Sequence, residues 1–472
     1  MREDQALQDQ YIIMAEQIAA AVQQAGGRAY YVGGFVRDRL LGVENKDVDL
    51  EVHGVTPQQL ETILDGFGER QTVGKSFGVM GLHHYGLDIS MPRAETSTGR
   101  GHKDFYAFVD PFLGEQKAAL RRDFTMNALM QDVLTHEILD FFGGRADLAN
   151  GVIRHVNDNT YQEDPLRVFR AAQFAARFGF AVAKETTDLS SRIPLDGLPD
   201  ERVLGELQKA LLKAKRPSVF FEELRNMRQL AVWFPEAAAL IGVPQNPAFH
   251  PEGDVWAHTM QVLDESAALR AQSKRPFRFM LAALCHDFGK PVTTQEVDGV
   301  LHAYGHEIKG LPPVESFLAR LTNERELIRY VLRMTELHMQ PNRNADAGAG
   351  VKSFMRLFDK TDWPEDLLLL AKADYLGRFR TDAQREALLR DYESTEQTLH
   401  KMLSVYRERM SRPYVMGRDL LRLGVQPGPA LGEVLAYVHK LRLAGVPKEE
   451  QLKHALALAR HIEKSRDAAD HK

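Results

Sequence analysis

Apolar residues recur three and four positions apart across 11–25, YIIMAEQIAAAVQQA, and this spacing predicts an amphipathic helix. AYYVGG reads as a short strand meeting two glycines, FVRDRLLG as a helical pattern ending in Gly42, and VDLEVHG as a second strand. In TPQQLETIL, Thr56 suits a helix N-cap and Pro57 the first turn. FGVMGLHHYGLDISM predicts two strands joined by a turn. The first 145 residues therefore read as a small α+β domain with a mixed or antiparallel sheet. From about residue 160 the period becomes helical, in DPLRVFRAAQFAARFGF, in RVLGELQKALLKA and in the Leu/Ala/Arg-rich remainder. NADAGA at 344–349 is a loop or helix junction, and the chain carries no tandem repeat. The expected division is a head over 1–145, a helical neck over 146–240, a histidine-rich helical domain over 241–385 and a helical C-terminal region over 386–472.

A chain of 472 residues exceeds the usual single core, which agrees with several domains. Composition is that of an ordinary globular protein, with 44% hydrophobic and 26% charged residues. One cysteine, Cys285, excludes an internal disulfide framework and a multi-cysteine zinc site. The polar start MREDQALQDQ is no signal peptide, and no apolar run approaches the roughly 20 residues that span a bilayer. By exclusion, a cytoplasmic protein with no membrane partner is expected. The net charge of -5 argues against a uniformly basic nucleic-acid wrapper, while leaving room for a local basic surface.

The chemistry-bearing residues concentrate in VGGFVRDRLLGVENKDVDLEV. Asp47 and Asp49 stand two apart in a strand pattern, so their side chains share a face and can hold a hard divalent cation. Asp88 in LDIS can complete the set from a neighbouring strand; Asp110, before a proline, is a less favoured third carboxylate. Gly33 and Gly34 before a helix permit close backbone approach to phosphate, and Arg37 can add a charge-assisted contact. The competing reading is a plain turn followed by a solvated strand face. RRDFTMNAL adds Arg122 as a phosphate-contacting candidate, with Asp123 and Asn127 to orient sugar or hold the backbone; a helix whose charges face water is the alternative.

Together, GGFVRDRLLG…KDVD, RRDFTMNAL, DFFGG and EDPLRVFRAAQFAARFGF resemble the bacterial class II tRNA nucleotidyltransferases, or CCA-adding enzymes, and the related poly(A) polymerases. The resemblance spans about residues 28–235. It implies that Asp47 and Asp49 hold catalytic Mg2+, with Asp88 in a third acidic role, and that Gly33, Gly34, Arg37 and Arg122 contact nucleotide. It assigns Asp164 and Arg167 the part of a protein template, acceptor beside donor, reading the exocyclic amine and ring acceptor that cytosine and adenine share. Arg170 contacts nucleotide or organises that pair. From spacing alone, Asp164 and Arg167 equally form an intrahelical salt bridge worth about 0.2–0.5 kcal/mol. Gln173 departs from the family pattern, where an arginine is common. Arg202, Glu206 and Lys209 continue a connector whose Lys213, Lys215 and Arg216 suit a tRNA surface. SFG at 76–78 and RAETSTGRGHKD at 93–104 read as mobile head elements.

Beyond residue 240, HPEGDVWAHTM, LAALCHDFGKP, HAYGHE, ELH and KADYLGR supply His250, His258, His286, Asp287, His302, His306, His338 and Asp374. Imidazole and carboxylate suit Mn2+, Ni2+, Fe2+, Co2+ or Mg2+. The pattern resembles the HD superfamily, which implies His258, His286, Asp287 and Asp374 as ligands, Lys290 as a phosphate contact, and a phosphatase or 2′,3′-cyclic phosphodiesterase activity. Arg418, Arg422 and Lys440 are further tRNA-contact candidates. The expected function is addition of CMP, CMP and AMP from CTP and ATP to the tRNA 3′ end, with CC-adding, A-adding and poly(A)-adding enzymes as alternatives. Monomer and homodimer both stay open.

Overall fold

The computed structural model describes residues 2–43, 45, 47–73, 79–82, 86–97 and 105–470. Two compact units divide the chain, Met1–Trp233 and Phe234–Lys472.

The N-terminal unit is built on a seven-stranded sheet. Its elements in chain order are α1 (Arg2–Gln24), β1 (Arg28–Val32), α2 (Gly34–Leu40), β2 (Val48–His53), α3 (Pro57–Asp65), β3 (Arg70–Val73), β4 (Val79–Leu82), β5 (Leu87–Ser90), β6 (Arg93–Ser97), β7 (Phe105–Val109), α4 (Glu115–Leu120), β8 (Met130–Asp132) and β9 (Ile138–Leu139). The strand order is β3-β4-β5-β2-β1-β8-β9, with β6 and β7 forming a separate pair. Only β2 and β5 run parallel within the large sheet, so it is mixed. Thr56 caps α3 and Pro57 opens its first turn, as the sequence predicts, and Gln59 completes a reciprocal capping box. The helix foreseen over 11–25 extends back to Arg2.

Strand alternation decides which chemistry is displayed. Val48, Leu50 and Val52 of β2 are fully buried and join Ile18, Val22, Leu60 and Leu64 of α1 and α3 in one core. The intervening Asp49, Glu51 and His53 must then face the other side. A smaller cluster of Tyr30, Val32, Ala119, Ala128 and Met130 forms the unit's second apolar core. Helices Leu166–Phe178, Asp200–Lys213 and Ser218–Asn226 complete the unit. Asp164 ends the preceding short helix in extended backbone and so lies outside the helix that was expected to carry it with Arg167. Of the mobile elements expected at 76–78 and 93–104, the second begins as strand β6, and 76–78 and 98–104 lie outside the described residues.

The second unit is all-helical apart from a small hairpin, Gln295–Val297 with Val300–His302. A histidine-rich helical domain over 241–385 and a helical C-terminal region over 386–472 were expected. Phe234–Lys472 is one compact unit. The long helix Asp382–Ser411 ties the two stretches together: Arg385 pairs with Glu265, Tyr392 donates to Asn342 at 2.9 Å, and Lys372 meets Glu396 at 2.6 Å. The tail also builds an apolar cluster of its own from Val415, Leu420, Val425, Val434, Val438, Ala455 and Ala459. The chain at 344–349 does form the expected junction, leaving helix Gln340–Asp346 before Val351–Phe358 begins. Among the described residues, no helix is long and apolar enough to cross a membrane.

Candidate functional site

A cavity of about 550 Å³ in the N-terminal unit gathers most residues singled out in the head and neck. Gly33, Gly34, Arg37, Asp47, Asp49, Arg122, Asp123 and Asn127 line it from the sheet side, and Asp164, Arg167, Arg170, Gln173, Arg202 and Lys213 from the helices. Parallel pairing sets Asp88 of β5 directly beside Asp49 of β2. Burial first, and then the neighbouring Asp88 and Asp47, push the Asp49 carboxyl above its ordinary value, while Arg122 opposes them. Gly33 adopts φ 64°, and a Cβ there would stand 3.4 Å from Arg122 Nη1 and 3.8 Å from Asp49 Oδ2. The backbone thus comes close to both the acid and the base of the site, in a conformation that favours glycine.

RRDFTMNAL does not form a solvated helix. Its centre is a 3-10 turn, Thr125–Asn127, and both Asp123 and Asn127 are buried. Asn127 accepts from Arg37 Nη1 at 2.6 Å and donates to Asp123 Oδ1 at 2.9 Å. Asp123 Oδ2 in turn accepts from Arg170 at 2.7 Å. Arg37 is itself only 4% exposed, pairs with Asp38 at 2.6 Å, and lies over the rings of Phe174 and Phe178. Burial lowers its guanidinium below the ordinary arginine range. These contacts lock the head turn to the neck helix and make the network a rigid floor under the cavity. The chain element Asp38, which no motif argument singled out, anchors it by also accepting from Asn45 at 2.9 Å.

Asp164 and Arg167 occupy the same wall without pairing through their side chains as an i, i+3 bridge. Asp164 Oδ2 accepts from Arg202 at 2.9 Å and its Oδ1 from the Leu166 amide at 3.2 Å. Arg167 donates to the carbonyls of Thr160 and Arg121 at 2.6 and 2.8 Å. Gln173 is 1% exposed, and its Nε2 has no partner among the described residues. Sequence reasoning also passed over Glu51, which is buried and accepts from Arg122 at 3.0 Å; the signal was present in the alternation of VDLEVH.

In the second unit, His/Asp/Glu side chains from distant segments converge. Three groups bring their ligand atoms within 4.8 Å of one another: His250, Glu252 and His258; His258, His286 and Asp287; Asp287, His306 and His338. Asp374 joins them, its Oδ1 lying 3.1 Å from His258 Nε2. Burial would raise the Asp287 carboxyl, yet His286, Lys290 and His306 around it hold it well below the ordinary range. Burial and the neighbouring His286 and His306 lower His338 to about 3. Asp287 Oδ2 lies 2.7 Å from Lys290 Nζ and 3.2 Å from His286 Nε2, so the buried carboxylate is held among cationic and imidazole groups. A cavity of about 540 Å³ opens beside them, lined also by Lys290, Arg343 and Arg378. Glu252, absent from the motif reading, lies 2.8 Å from His258 Nδ1 and 2.9 Å from His250 Nδ1, the position of a carboxylate that orients a ligand imidazole.

Residues 29–154 match the Poly A polymerase head domain family. The chain is similar to the Multifunctional CCA protein of Actinobacillus pleuropneumoniae serotype 5b, 37% identical over 362 residues that cover 74% of this chain and 85% of that one. Similarity to the Multifunctional CCA protein of Ralstonia nicotianae is 38% over 368 residues, 74% of this chain and 82% of the other. The chain belongs to the CCA-adding enzyme family. Solved members share the fold: the Bacillus stearothermophilus CCA-adding enzyme in complex with CTP superposes with TM-score 0.61 at 20% identity over 97% of this chain and 98% of that one. The Thermotoga maritima CCA-adding enzyme complexed with tRNA gives TM-score 0.60 at 20% identity over 95% and 98%.

Because these CCA-adding folds run along nearly the whole chain, the head is followed by one all-α region, and no segment is left over for a separate HD phosphohydrolase domain. The expectation of such a domain is overturned. What the family member retains at that place is a set of His/Asp clusters suited to a divalent metal.

Proposed function

We propose that the N-terminal cavity adds CMP, CMP and AMP from CTP and ATP to the 3′ end of tRNA without a nucleic-acid template. The observation that carries this is one cavity lined by the carboxylates Asp47 and Asp49, by Gly33 and Arg122, and by Asp164, Arg167 and Arg202, in a chain related along most of its length to Multifunctional CCA proteins. The primer 3′-hydroxyl attacks the α-phosphate, the α–β phosphoanhydride bond breaks, and pyrophosphate leaves.

Asp47 and Asp49, with the exposed Asp88 paired beside Asp49 from β5, would offer Mg2+ the oxygen donors it takes. When bound, such an ion lowers the pKa of the attacking hydroxyl and neutralises charge on the phosphoryl group. Gly33 and Gly34 offer backbone to the triphosphate, and Arg122 adds charge. Asp164 accepts from the exocyclic amine that cytosine and adenine share, and Arg167 faces the ring acceptor; Arg202 shares the Asp164 carboxylate and fixes its orientation. Arg170, Asp123, Asn127 and Arg37 hold this wall against the head. Lys213, Lys215 and Arg216 meet tRNA phosphates. In the second unit, His258, His286, Asp287 and Asp374 hold a divalent ion of the Ni2+, Mn2+ or Co2+ kind, for which mixed imidazole and carboxylate donors are suited.

The decisive experiment offers CTP and ATP separately to tRNA ending before C, after C and after CC. Stepwise C, C, A incorporation is expected. The match to a Poly A polymerase head makes a second outcome specific: long A tails on generic RNA would replace CCA addition with poly(A) synthesis. Failure to add C to the first substrate leaves an A-adding enzyme.

A further inference from the structure

The carboxylate face of β2 continues past Asp49. Glu51 stands two residues on, on the same face, with a side chain only 9% exposed. Both of its oxygens are engaged: Oε2 accepts from Arg122 Nη2 at 3.0 Å, and Oε1 lies 3.0 Å from His53 Nε2. The His53 ring packs edge-on against Tyr30 at 5.3 Å, and Tyr30 donates to Glu115 at 2.8 Å, so Glu51 is fixed from behind. Arg122 is different. Its side chain is 31% exposed, and its Nη1 faces the point where a Gly33 Cβ would stand. A long arginine side chain with one end in an open cavity samples many rotamers unless something holds it. Asp49 approaches the same turn: a Gly33 Cβ would stand 3.4 Å from Arg122 Nη1 and 3.8 Å from Asp49 Oδ2.

We propose that Glu51 is a positioning residue for nucleotide binding: it holds the Arg122 guanidinium against the Gly33 turn, keeping its free N–H face for the triphosphate and keeping it off Asp49. This rests on the nucleotidyl-transfer reading of the cavity. With both oxygens committed, Glu51 acts through Arg122 and touches neither substrate nor metal. One Nη2–H of Arg122 is spent on Glu51, and the planar fork leaves the Nη1 edge for phosphate oxygens. A lysine at 122 would have no such second edge.

The test is a double-mutant cycle in the stepwise tRNA assay, with KM and kcat for CTP and ATP measured on wild type, Glu51→Gln, Arg122→Ala and the double variant. Glu51→Gln keeps the shape and loses the charge. It is expected to raise KM for both nucleotides by about tenfold, with a smaller change in kcat, and to add nothing further once Arg122 is already Ala. A purely structural role would lower the melting temperature and leave KM per folded molecule alone. Wild-type KM in Glu51→Gln, or multiplicative effects in the double variant, would overturn the proposal. Should Glu51→Gln lose its native circular dichroism, Glu51→Asp, which keeps the charge and shortens the reach, is read in the same way. Wild-type protein that incorporates no nucleotide would instead sink the functional reading beneath it.

Discussion

Asp49 and Asp123 are both acids inside one cavity, and their surroundings push them in opposite directions. Asp49 sits among Asp47 and Asp88 and is raised, first by burial. Asp123 is more deeply buried, yet Arg170 and Asn127 outweigh that burial and hold its carboxyl below the ordinary range. The first is arranged for a cation to arrive, the second already has its cation. Asp49→Ala should therefore cut nucleotide incorporation by about 100-fold or more while the melting temperature holds or rises; incorporation at the wild-type rate would refute its assignment. Asp123→Asn should do the reverse of this on stability, costing about 3 kcal/mol at neutral pH because Arg170 loses its 2.7 Å carboxylate partner and keeps only Glu206 at 3.9 Å. The sign with pH follows from linkage. A carboxyl whose folded pKa is depressed stabilises the fold above its unfolded pKa of about 3.9, and that contribution is lost as pH falls through the folded value. The stability gap between wild type and Asp123→Asn should thus be flat above pH 5 and close below pH ~3.9. Urea melts over that range measure it, and a gap constant down to the acid limit would show that the charge is not what Asp123 contributes.

At the level of elements, local rules worked where the chain talks to itself. Thr56 and Pro57 are adjacent in sequence, so the start of α3 was legible from the residues. Thr56→Ala should destabilise the N-terminal unit by about 1 kcal/mol, read as a shift in denaturant midpoint at constant slope; no shift would mean that the N-terminal turn is held by packing alone. Asp164 shows where those rules fail. Three-residue spacing put it on one helix with Arg167, but Pro165 keeps the preceding residue out of helical geometry, and Asp164 adopts φ -124° and ψ 97° at the end of the earlier helix. Its partner became Arg202, 38 residues away. The strands Arg70–Val73, Met130–Asp132 and Ile138–Leu139 were equally hidden, because each is short and its reason for extending is a neighbour supplied by the sheet.

On the scale of the whole molecule, the His/Asp clusters suited to a metal all fall, among the described residues, in Phe234–Lys472, whereas Asp47 and Asp49 belong to Met1–Trp233. Asp287→Ala should therefore abolish stoichiometric binding of Ni2+, Mn2+ or Co2+ by purified protein, measured by elemental analysis after dialysis, and leave C, C, A incorporation within about twofold of wild type. Full metal retention in that variant would remove Asp287 from the ligand set. Glu252, which orients His258 from behind, would be expected to weaken the same ions when changed to Gln, by about 10-fold or more.

The sequence alone determined the strand that displays Asp49 (Asp47, expected on it, precedes its first residue, Val48), the glycine turn before a helix and the helical period of the neck, because each depends on residues within one or two turns of each other. Tertiary structure alone decided that Arg37, Asn127, Asp123 and Arg170 are linked in series, that Glu51 holds Arg122, and that the histidine-bearing helices share a unit with the tail. A buried charge takes whichever partner the fold brings within about 3 Å, and a domain ends where packing ends. Neither is written in the spacing of neighbouring residues.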